Sequence, residues 1–362
     1  MGIKGLKTFL KNNIPNNKGI QKIPLLKYSG KTIALDFTNF LYKFLLISDL
    51  SDNYLLEFIN IIHKFSKYGI KLIFIFDGKP VDEKQKTIDR RKTIRKLAKE
   101  QYEEICSDKD NNKNDIIHDE ETIIAKNIKI SKLHKKSISI KFEHIINCKY
   151  LFDLMGIEWH HRKYIEADIL FKYLFDKNII DACYSADMDI LLYECPILLS
   201  DLDFHNDEIY EYNYTKILEY LNLSNMQLLN ACVASGTDFN YPLINCKIED
   251  NIELIRKYNI IENIINNLET INLHRLSKIK IPVYFNYEVS IKIYKTNLSI
   301  EAQIEISNQN MIYKKNLSNN SIKKNIVSNL DKIILKIKSM YAPVKFVYKI
   351  QEFCYYKYGF KP

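Results

Sequence analysis

The chain has 362 residues and a formal net charge of +9, and its 46% hydrophobic content is enough for one large core or two intimate domains. The sequence has no run of about 18 apolar residues, which argues against a transmembrane helix. Its seven cysteines show no C-x-x-C or zinc-type spacing, so buried, reduced thiols of an intracellular protein are expected.

Short apolar runs alternate with helical patterns along the first two thirds of the chain. Strands are predicted near residues 31–37, 70–78, 179–184 and 195–200, and helices near 40–46, 54–68, 142–155 and 165–175. This alternation predicts an α/β fold with a mostly parallel central sheet flanked by helices. In such sheets functional groups collect at the carboxyl ends of the strands.

Two stretches break this pattern. Residues 82–140 are charged and read as a helical insertion with a mobile polar middle, "CSDKDNNKNDIIHDEE". After about residue 270 the sequence pattern changes again. Apolar and polar residues alternate over 281–307 as they do in strands, and the pattern over 325–340 predicts a helix.

Positive charge is concentrated in three segments. Residues 79–100 hold nine basic and four acidic residues, and residues 122–142 hold six lysines and no acid. Residues 274–362 hold sixteen Lys and Arg against five Asp and Glu. These segments point to a polyanionic partner, although a solvated lysine-rich surface explains the charge alone equally well.

Four acids at or near predicted strand ends, Asp36, Asp77, Asp187 and Asp189, combine with three from other segments into a set of seven candidate site acids. They are Asp36, Asp77, Glu166, Asp168, Asp187, Asp189 and Asp238. Each has an ordinary alternative reading: helix capping for Asp36, first-turn acids for Glu166 and Asp168, and a turn for Asp238. Together, converging on one sheet edge, they could not all ionise without counter-charge.

Divalent cations supply that charge. Mg²⁺ binds through a few carboxylates while keeping waters, and two such ions stabilise both the attacking and leaving oxygens of a phosphodiester displacement. Nucleic-acid hydrolysis also accounts for the basic segments.

A family resemblance supports this interpretation. The segments "MGIKGL", "LDFTNFLY", "FDGKP", "LMGIEW…YIEAD", "SADMDILLY" and "GTDF" resemble, in order and spacing, the successive motifs of the flap endonuclease family of structure-specific 5′ nucleases. The resemblance covers roughly residues 1–260, and the divergence beyond it is similar to that of members from large DNA viruses.

The resemblance implies a PIN-like nuclease core with a helical arch insertion and an additional C-terminal region. The expected regions are an N-terminal nuclease region at 1–105, the arch or gateway at 82–140, an internal nuclease region with a degenerate duplex-binding hairpin at 141–265, and a basic region of unknown role at 266–362.

The resemblance also implies two Mg²⁺ ions, for which Mn²⁺ would substitute. Asp77 and Asp168 would lie nearest the first ion, and Asp187 and Asp189 would hold the second. Asp36, Glu166 and Asp238 would act directly or through metal-bound water. The family usually has glutamate where this chain has Asp168, which shortens that carboxylate by one methylene.

Basic residues of the insertion match the family as well. Lys84 and Arg91 are the predicted catalytic cations that steer the scissile phosphate; exposed helix charges are the ordinary alternative. The predicted DNA contacts are Gly2, Lys84, Arg90, Arg91 and Arg95. Gly2 is expected to lie at the N-terminus after removal of the methionine, close to the substrate.

Two departures stand out. Asn245 and Lys247 replace the glycines of the family's duplex-binding hairpin, which counts against close backbone approach to phosphate and against a K⁺ ion there. The final segment "QEFCYYKYGFKP" does not match the family's sliding-clamp peptide.

The predicted function is a Mg²⁺-dependent flap endonuclease with 5′ exonuclease activity as a further expectation. The alternatives are a junction or bubble endonuclease, a non-cleaving DNA-binding recombination scaffold, and an RNA-processing nuclease. The expected partner is DNA with 5′ flaps or junctions. The protein is expected to be a monomer and not to associate with a membrane. The expected location is intracellular: the nucleus of a eukaryote, or the host cytoplasm or virus factory. A chain ended near residue 270, if it still folds, is expected to bind duplex more weakly and to keep some Mg²⁺-dependent cleavage at low salt, because all seven acids precede the cut.

Overall fold

The structure, a computed structural model, describes residues 2–48, 54–111, 120–162 and 165–296, with backbone alone at 108–111 and 120–125. The predicted helix at 325–340, the strand-like residues 297–307 and residues 112–119 in the polar middle of the insertion lie outside the described residues. The described parts of Met1–Asn39, Ile61–Val81 and Ile157–Ser318 form a first compact unit, and those of Phe40–Asn60 and Asp82–Gly156 form a second.

A seven-stranded mixed sheet forms the centre of the first unit. Its strands are β1 (Ile20–Pro24), β2 (Thr32–Asp36), β3 (Lys71–Phe76), β4 (Glu158–His161), β5 (Ala182–Tyr184), β6 (Ile197–Asp203) and β7 (Glu208–Asn213). The order is β1-β7-β6-β5-β2-β3-β4, in which β6, β5, β2, β3 and β4 are parallel and β7 is antiparallel to both neighbours. The predicted mostly parallel sheet is confirmed.

Thirteen α-helices fall within the described residues. They are α1 (Leu6–Asn13), α2 (Phe37–Ile47), α3 (Tyr54–Ser66), α4 (Gln85–Asn111), α5 (Glu120–Ser137), α6 (Phe142–Met155), α7 (Ala167–Asp176), α8 (Tyr214–Leu221), α9 (Asn225–Ala234), α10 (Ile248–Tyr258), α11 (Ile261–Asn266), α12 (Leu268–Leu273) and α13 (Tyr287–Tyr294). The predicted helices are confirmed, including the helical character of the insertion.

The strand prediction at 281–307 is wrong where the structure describes it, because Tyr287–Tyr294 is the helix α13. Ser290 and Tyr294 are its buried residues, four positions apart, and Ile291 packs against the same core. That spacing places them on one helical face. The β-branched residues of the segment gave a period-two pattern that tertiary packing overrides.

Both faces of the central strands are buried. Ala34 of β2 and Ile73 and Ile75 of β3 belong to a core with the apolar sides of α1 and α7–α13, while Leu35 and Phe74 point to the opposite face. Strands that are buried on both sides read as continuous apolar runs, which is why the sequence located them.

The second unit is helical. Within it α4 and α5 pack against each other, with the ring of Tyr102 5.0 Å from that of His134. Phe58 lies against Phe44 and Phe152, with ring centroids 4.8 and 5.4 Å away. Among the described residues no helix is long and apolar enough to cross a membrane.

Candidate metal centre

Asp36 is the last residue of β2, at the carboxyl edge of the sheet. Its side chain is only 8% exposed; Oδ1 accepts a hydrogen bond from the Asn39 amide at 3.1 Å, and Oδ2 accepts one from the Ser185 hydroxyl at 2.8 Å. The Asn39 bond is the helix-capping contact that sequence reasoning offered as an alternative. Asp36 therefore both caps α2 and faces the end of β5.

Asp77 directly follows β3, the neighbour of β2. Its Oδ1 accepts a hydrogen bond from the Ala167 amide at 3.1 Å, at the start of α7. The close approach depends on Gly78, because a Cβ there would lie 2.0 Å from the Arg162 carbonyl oxygen. The Gly78 amide donates to the Ile165 carbonyl at 3.0 Å. The glycine of "FDGKP" thus lets Asp77 lie against the N-terminus of α7.

Asp187 and Asp189 follow β5, the other neighbour of β2. Asp187 begins a 3₁₀ turn over Met188–Tyr193 and accepts a hydrogen bond from the Asp189 amide at 3.1 Å. Asp189 is 4% exposed; its Oδ1 accepts from the Ile3 amide at 2.9 Å, and its Oδ2 accepts from the Tyr294 hydroxyl at 3.0 Å. The buried carboxylate of Asp189 is thus oriented from both ends of the described chain.

The remaining three acids are grouped around Tyr193. Glu166 is buried at the N-terminus of α7, and Asp168 lies in its first turn. Asp238 lies in the loop after α9. Burial raises the pKa of Tyr193 well above its ordinary value, and the negative charges of Asp168, Glu166, Asp189 and Asp238 raise it further. These four acids are therefore close neighbours of one tyrosine ring.

Negative charge accumulates at this edge. Burial, together with the charges of Asp77 and Asp187, raises the pKa of Asp36 to about 7. The charges of Asp77 and Asp187 act on Asp36. Asp187 accepts from the Asp189 amide, and the charges of Asp189 and the remaining acids act on Tyr193. The structure therefore groups Asp36 with Asp77 and Asp187 at the strand ends, and places Glu166, Asp168, Asp189 and Asp238 near Tyr193.

The donor set suits a hard divalent cation. Among the described residues no three acids already form a cluster that could hold one ion by themselves. Mg²⁺ is usually held by one or two carboxylates plus waters and substrate phosphate oxygens, so a loose ring of carboxylates fits it better than a closed cage would.

Charge removal at Asp36 tests this crowding. In EDTA at pH 8, Asp36→Asn is expected to raise the free energy of unfolding by about 2 kcal/mol, because an isosteric neutral group replaces a repelled, buried carboxylate. Added Mg²⁺ should then stabilise the variant less than the wild type. Thermal unfolding with and without Mg²⁺ measures both effects.

Asp181→Asn is the matched control for that variant. Asp181 pairs with Lys31 at 2.9 Å and accepts from the Thr32 amide at 2.8 Å, and these partners together hold its pKa below the usual range. Its neutralisation should lower stability. A loss of stability in Asp36→Asn as well would contradict the electrostatic reading of the cluster.

Gly2 lies directly beside the second acid pair. It adopts φ +84°, and a Cβ there would lie 2.0 Å from Asp187 Oδ1 and 2.7 Å from Asp189 Oδ1. A side chain at this position would displace both carboxylates. The structure thus places Gly2, a predicted DNA contact, against the metal-site acids.

Gly2→Ala is therefore expected to lower cleavage at least tenfold, since small misplacements of reacting groups carry large rate penalties. Gly5→Ala is the matched control: Gly5 has φ +83°, so the backbone strain is the same, but its Cβ would meet only Ile248, at 3.2 Å. Equal cleavage rates for the two variants would show that strain, and not the acids, causes the loss.

The predicted cationic residues lie in the second unit. Lys84 ends a 3₁₀ turn before α4, and Arg91 and Arg95 follow on the helix. These three side chains are half-buried, whereas Arg90 is exposed. Arg95 Nε donates to the Arg91 carbonyl at 3.2 Å, and the two share one helical face.

The hairpin between α9 and α10 keeps a glycine-like turn without glycine. Asn245 takes a left-handed backbone with φ +61°, which asparagine tolerates. Its Nδ2 donates to the Lys278 carbonyl at 3.0 Å. Lys247 has an extended backbone at the start of α10, where its amide donates to Asp250 Oδ2 at 2.9 Å. The replacement of the glycines therefore does not prevent the turn.

Sequence reasoning missed the groups that orient the acids. Ser185 and the Ile3 amide lie within the quoted motifs but carry no signal of their own. Tyr294 lies more than one hundred positions from Asp189, in a segment that matched no known motif. Only the fold brings it to the site.

Two family descriptions match this chain: the XPG N-terminal domain over residues 1–98 and the XPG I-region over residues 156–238. Together they contain all seven acids. The unmatched interval between them contains α5, all of α6 and the C-terminal part of α4.

Individual proteins match over most of their length. Flap endonuclease 1 of Encephalitozoon cuniculi is 27% identical over 280 residues, covering 74% of this chain and 76% of its own. The catalytic core of Rad2 in complex with a DNA substrate has a TM-score of 0.55 at 16% identity, covering 83% and 82% of the two chains. Human GEN1 in complex with Holliday junction DNA has a TM-score of 0.52 at 16% identity, covering 82% and 67%.

Proposed function

Because the chain belongs to the flap endonuclease family, whose XPG N-terminal and I-region domains it carries, we propose that it is a Mg²⁺-dependent, structure-specific 5′ nuclease of DNA. The observation that carries this proposal is the convergence of seven carboxylates on one sheet edge, where the pKa of Asp36 rises to about 7. A cluster of mutually repelling acids is unfavourable for folding and is explained by the cations it binds.

The proposed ion-binding residues are those that the family resemblance implies. Asp77 and Asp168 would hold the first ion, Asp187 and Asp189 the second, and Asp36, Glu166 and Asp238 would act directly or through water. When bound, two such ions would supply an activated water and charge stabilisation for the attacking and leaving oxygens of the phosphodiester.

The chain's own residues prepare that site. Ser185 holds the carboxylate of Asp36, and the Ala167 amide holds that of Asp77. Asp189 is held by the Ile3 amide. These contacts fix the carboxylates before substrate arrives, so that little reorganisation is needed at the moment of reaction.

The insertion at 82–140 is the proposed gateway for a 5′ single strand, with Lys84 and Arg91 positioning the scissile phosphate. Arg90 and Arg95 extend the proposed phosphate contacts along α4. Duplex on the other side of the cleavage point is proposed to bind the α9–α10 hairpin and the basic residues after 266.

Lys84→Ala and Arg91→Ala are each expected to slow single-turnover cleavage by about 10²-fold while weakening DNA binding by only a few-fold. The reason is that positioned cations act on charge that develops in the transition state. Rapid-quench cleavage at saturating enzyme, with binding measured in Ca²⁺, separates the two effects.

Lys99→Ala is the matched control on the same helix. Lys99 is exposed and lies 3.6 Å from Glu103, so its removal should leave the rate of the chemical step unchanged. A uniform affinity loss for all three variants, with normal rates at saturation, would reduce Lys84 and Arg91 to general surface charge.

Digestion of 5′-labelled substrates tests the proposed function itself. Flap, nicked, bubble, four-way junction and RNA substrates are incubated with Mg²⁺, Mn²⁺ or EDTA. We expect cleavage of the flap in both metals, with a 5′-phosphate and a 3′-hydroxyl at the new ends. A preference for the four-way junction or bubble would favour the related alternative activity.

Retention of DNA binding without cleavage in either metal would instead indicate a recombination scaffold.

A DNA substrate implies action inside the cell, in the nucleus or, for a viral protein, in the host cytoplasm or virus factory. We propose that the protein acts as a monomer.

A further inference from the structure

We propose that Tyr294 is a positioning residue that orients Asp189 for metal binding. The proposal rests on the proposed function in one respect, which is that Asp189 serves as a metal ligand. Tyr294 is the last residue of α13, outside both matched family regions and outside the motifs that identified the site.

The contact is direct and buried. Tyr294 is 5% exposed and Asp189 is 4% exposed, and the phenol hydroxyl donates to Asp189 Oδ2 at 3.0 Å. The other carboxylate oxygen already accepts from the Ile3 amide at 2.9 Å. With a donor on each oxygen, the carboxylate plane cannot rotate without breaking a charge-assisted hydrogen bond. A metal ion would therefore meet a ligand of fixed orientation.

The same hydroxyl also reaches the loop that carries Asp238. The Thr237 side chain lies beside that hydroxyl, and the Thr237 hydroxyl accepts from the Phe239 amide at 3.2 Å. The Tyr294 ring packs edge-on against Phe239, with centroids 5.4 Å apart. Tyr294 thereby contacts both loops, that of Asp189 through its hydroxyl and that of Asp238 through its ring.

The ring itself is held in place independently of the hydroxyl. Its centroid lies 5.0 Å from that of Tyr193, and Ser290, one turn earlier on α13, is fully buried. Removal of the hydroxyl alone should therefore leave the ring where it is. This separates an effect on Asp189 from an effect on packing.

Tyr294→Phe tests the assignment, with Mn²⁺ binding to the DNA-free protein measured by electron paramagnetic resonance. We expect the affinity of the weakened site to fall by roughly tenfold to a hundredfold, the range typical for loss of an outer-shell partner. The Mg²⁺ concentration for half-maximal cleavage should rise correspondingly, while KM for DNA stays unchanged and kcat recovers at high Mg²⁺.

Two further variants sharpen the comparison. Tyr287→Phe removes a hydroxyl from the same helix that contacts only Glu288 at 3.2 Å among the bonds described, and it should leave Mn²⁺ affinity unchanged. Thr237→Val removes a hydroxyl that lies beside that of Tyr294, and we expect a shift in the same direction as for Tyr294→Phe but smaller.

The outcomes are distinguishable. Unchanged Mn²⁺ affinity and an unchanged Mg²⁺ profile in Tyr294→Phe, with only a lower melting temperature, would overturn the proposal and leave the nuclease assignment standing. Weaker Mn²⁺ binding in a protein that cleaves none of the substrates would support the positioning role while the proposed reaction fails. A wild-type protein that binds no Mn²⁺ would overturn both.

Discussion

Asp187→Asn is expected to lower single-turnover cleavage by about 10³-fold or more while leaving DNA affinity within a few-fold of wild type. The substitution removes a negative charge from the proposed second ion site and preserves side-chain volume. Loss of an ion that stabilises the transition state by several kcal/mol corresponds to that range of rates. DNA affinity depends mainly on phosphate contacts elsewhere, so it should persist.

The structure favours Asp187 over Asp189 as the site of this substitution. Asp187 accepts one described hydrogen bond, from the Asp189 amide at 3.1 Å, and an asparagine oxygen can accept it equally well. Asp189 accepts from donors on both oxygens, the Ile3 amide and the Tyr294 hydroxyl. The single amide oxygen of an asparagine there could replace only one of these two acceptors, so the substitution would also rearrange the hydrogen bonds of the Ile3 amide or the Tyr294 hydroxyl.

The measurement is cleavage of a labelled flap at saturating enzyme in 10-fold steps of Mg²⁺, with DNA binding measured in parallel. Asp176→Asn, on the surface and paired with Lys172 at 2.6 Å, is the control for a single lost negative charge. Cleavage by Asp187→Asn within a few-fold of wild type would show that the ion site has been placed wrongly.

The acids could be located from sequence because their positions follow from a local rule. Asp36 and Asp77 end or follow buried strands, and parallel strands bring their carboxyl ends to one edge. Apolar runs bounded by a polar residue are visible in a single sequence. The family resemblance then assigned roles that spacing alone could not.

The groups that hold those acids could not be located in the same way. Tyr294 contacts Asp189 through packing of α13 on the core, and its segment carries a strand-like pattern that folds as a helix. Gly78 is required by a carbonyl contact with Arg162 that only the fold creates. Long-range contacts of this kind leave no periodic pattern in the sequence from which they could be predicted.

The structure changes the expected result of C-terminal truncation. A chain ended near residue 270 was expected from sequence to keep cleavage, because all seven acids precede the cut. That cut removes Ile279 and Tyr294, which are 1% and 5% exposed in the core of the first unit. Loss of large buried side chains costs about 2–5 kcal/mol each, a large part of the roughly 5–15 kcal/mol that stabilises a typical domain.

We therefore expect the chain ended at 270 to be unstable and inactive, and a chain ended at 296 to keep Mg²⁺-dependent cleavage at low salt. Residues 297–362 contain eleven lysines and four acids, so their removal should weaken duplex binding. Each lost phosphate contact should reduce the slope of log affinity against log salt by about 0.9. Circular dichroism, thermal unfolding and binding at four salt concentrations measure these effects.

The two truncations together separate the roles of the C-terminal region. If the chain ended at 296 binds duplex with the affinity and salt slope of the full chain, the hairpin around Asn245 or the α4 helix carries the duplex, and the lysines after 296 serve another partner.

If the chain ended at 270 folds and cleaves as well as the chain ended at 296, α13 is dispensable, and Tyr294 cannot be positioning Asp189. The two cuts differ by only 26 residues. The longer chain retains the five basic residues that lie between them: Arg275, Lys278, Lys280, Lys292 and Lys295. If both chains are equally folded, a difference in cleavage between them would therefore come from α13 or from these five charges. The chain ended at 296 with Tyr294→Phe keeps the charges and lacks only the hydroxyl, so it separates the two effects.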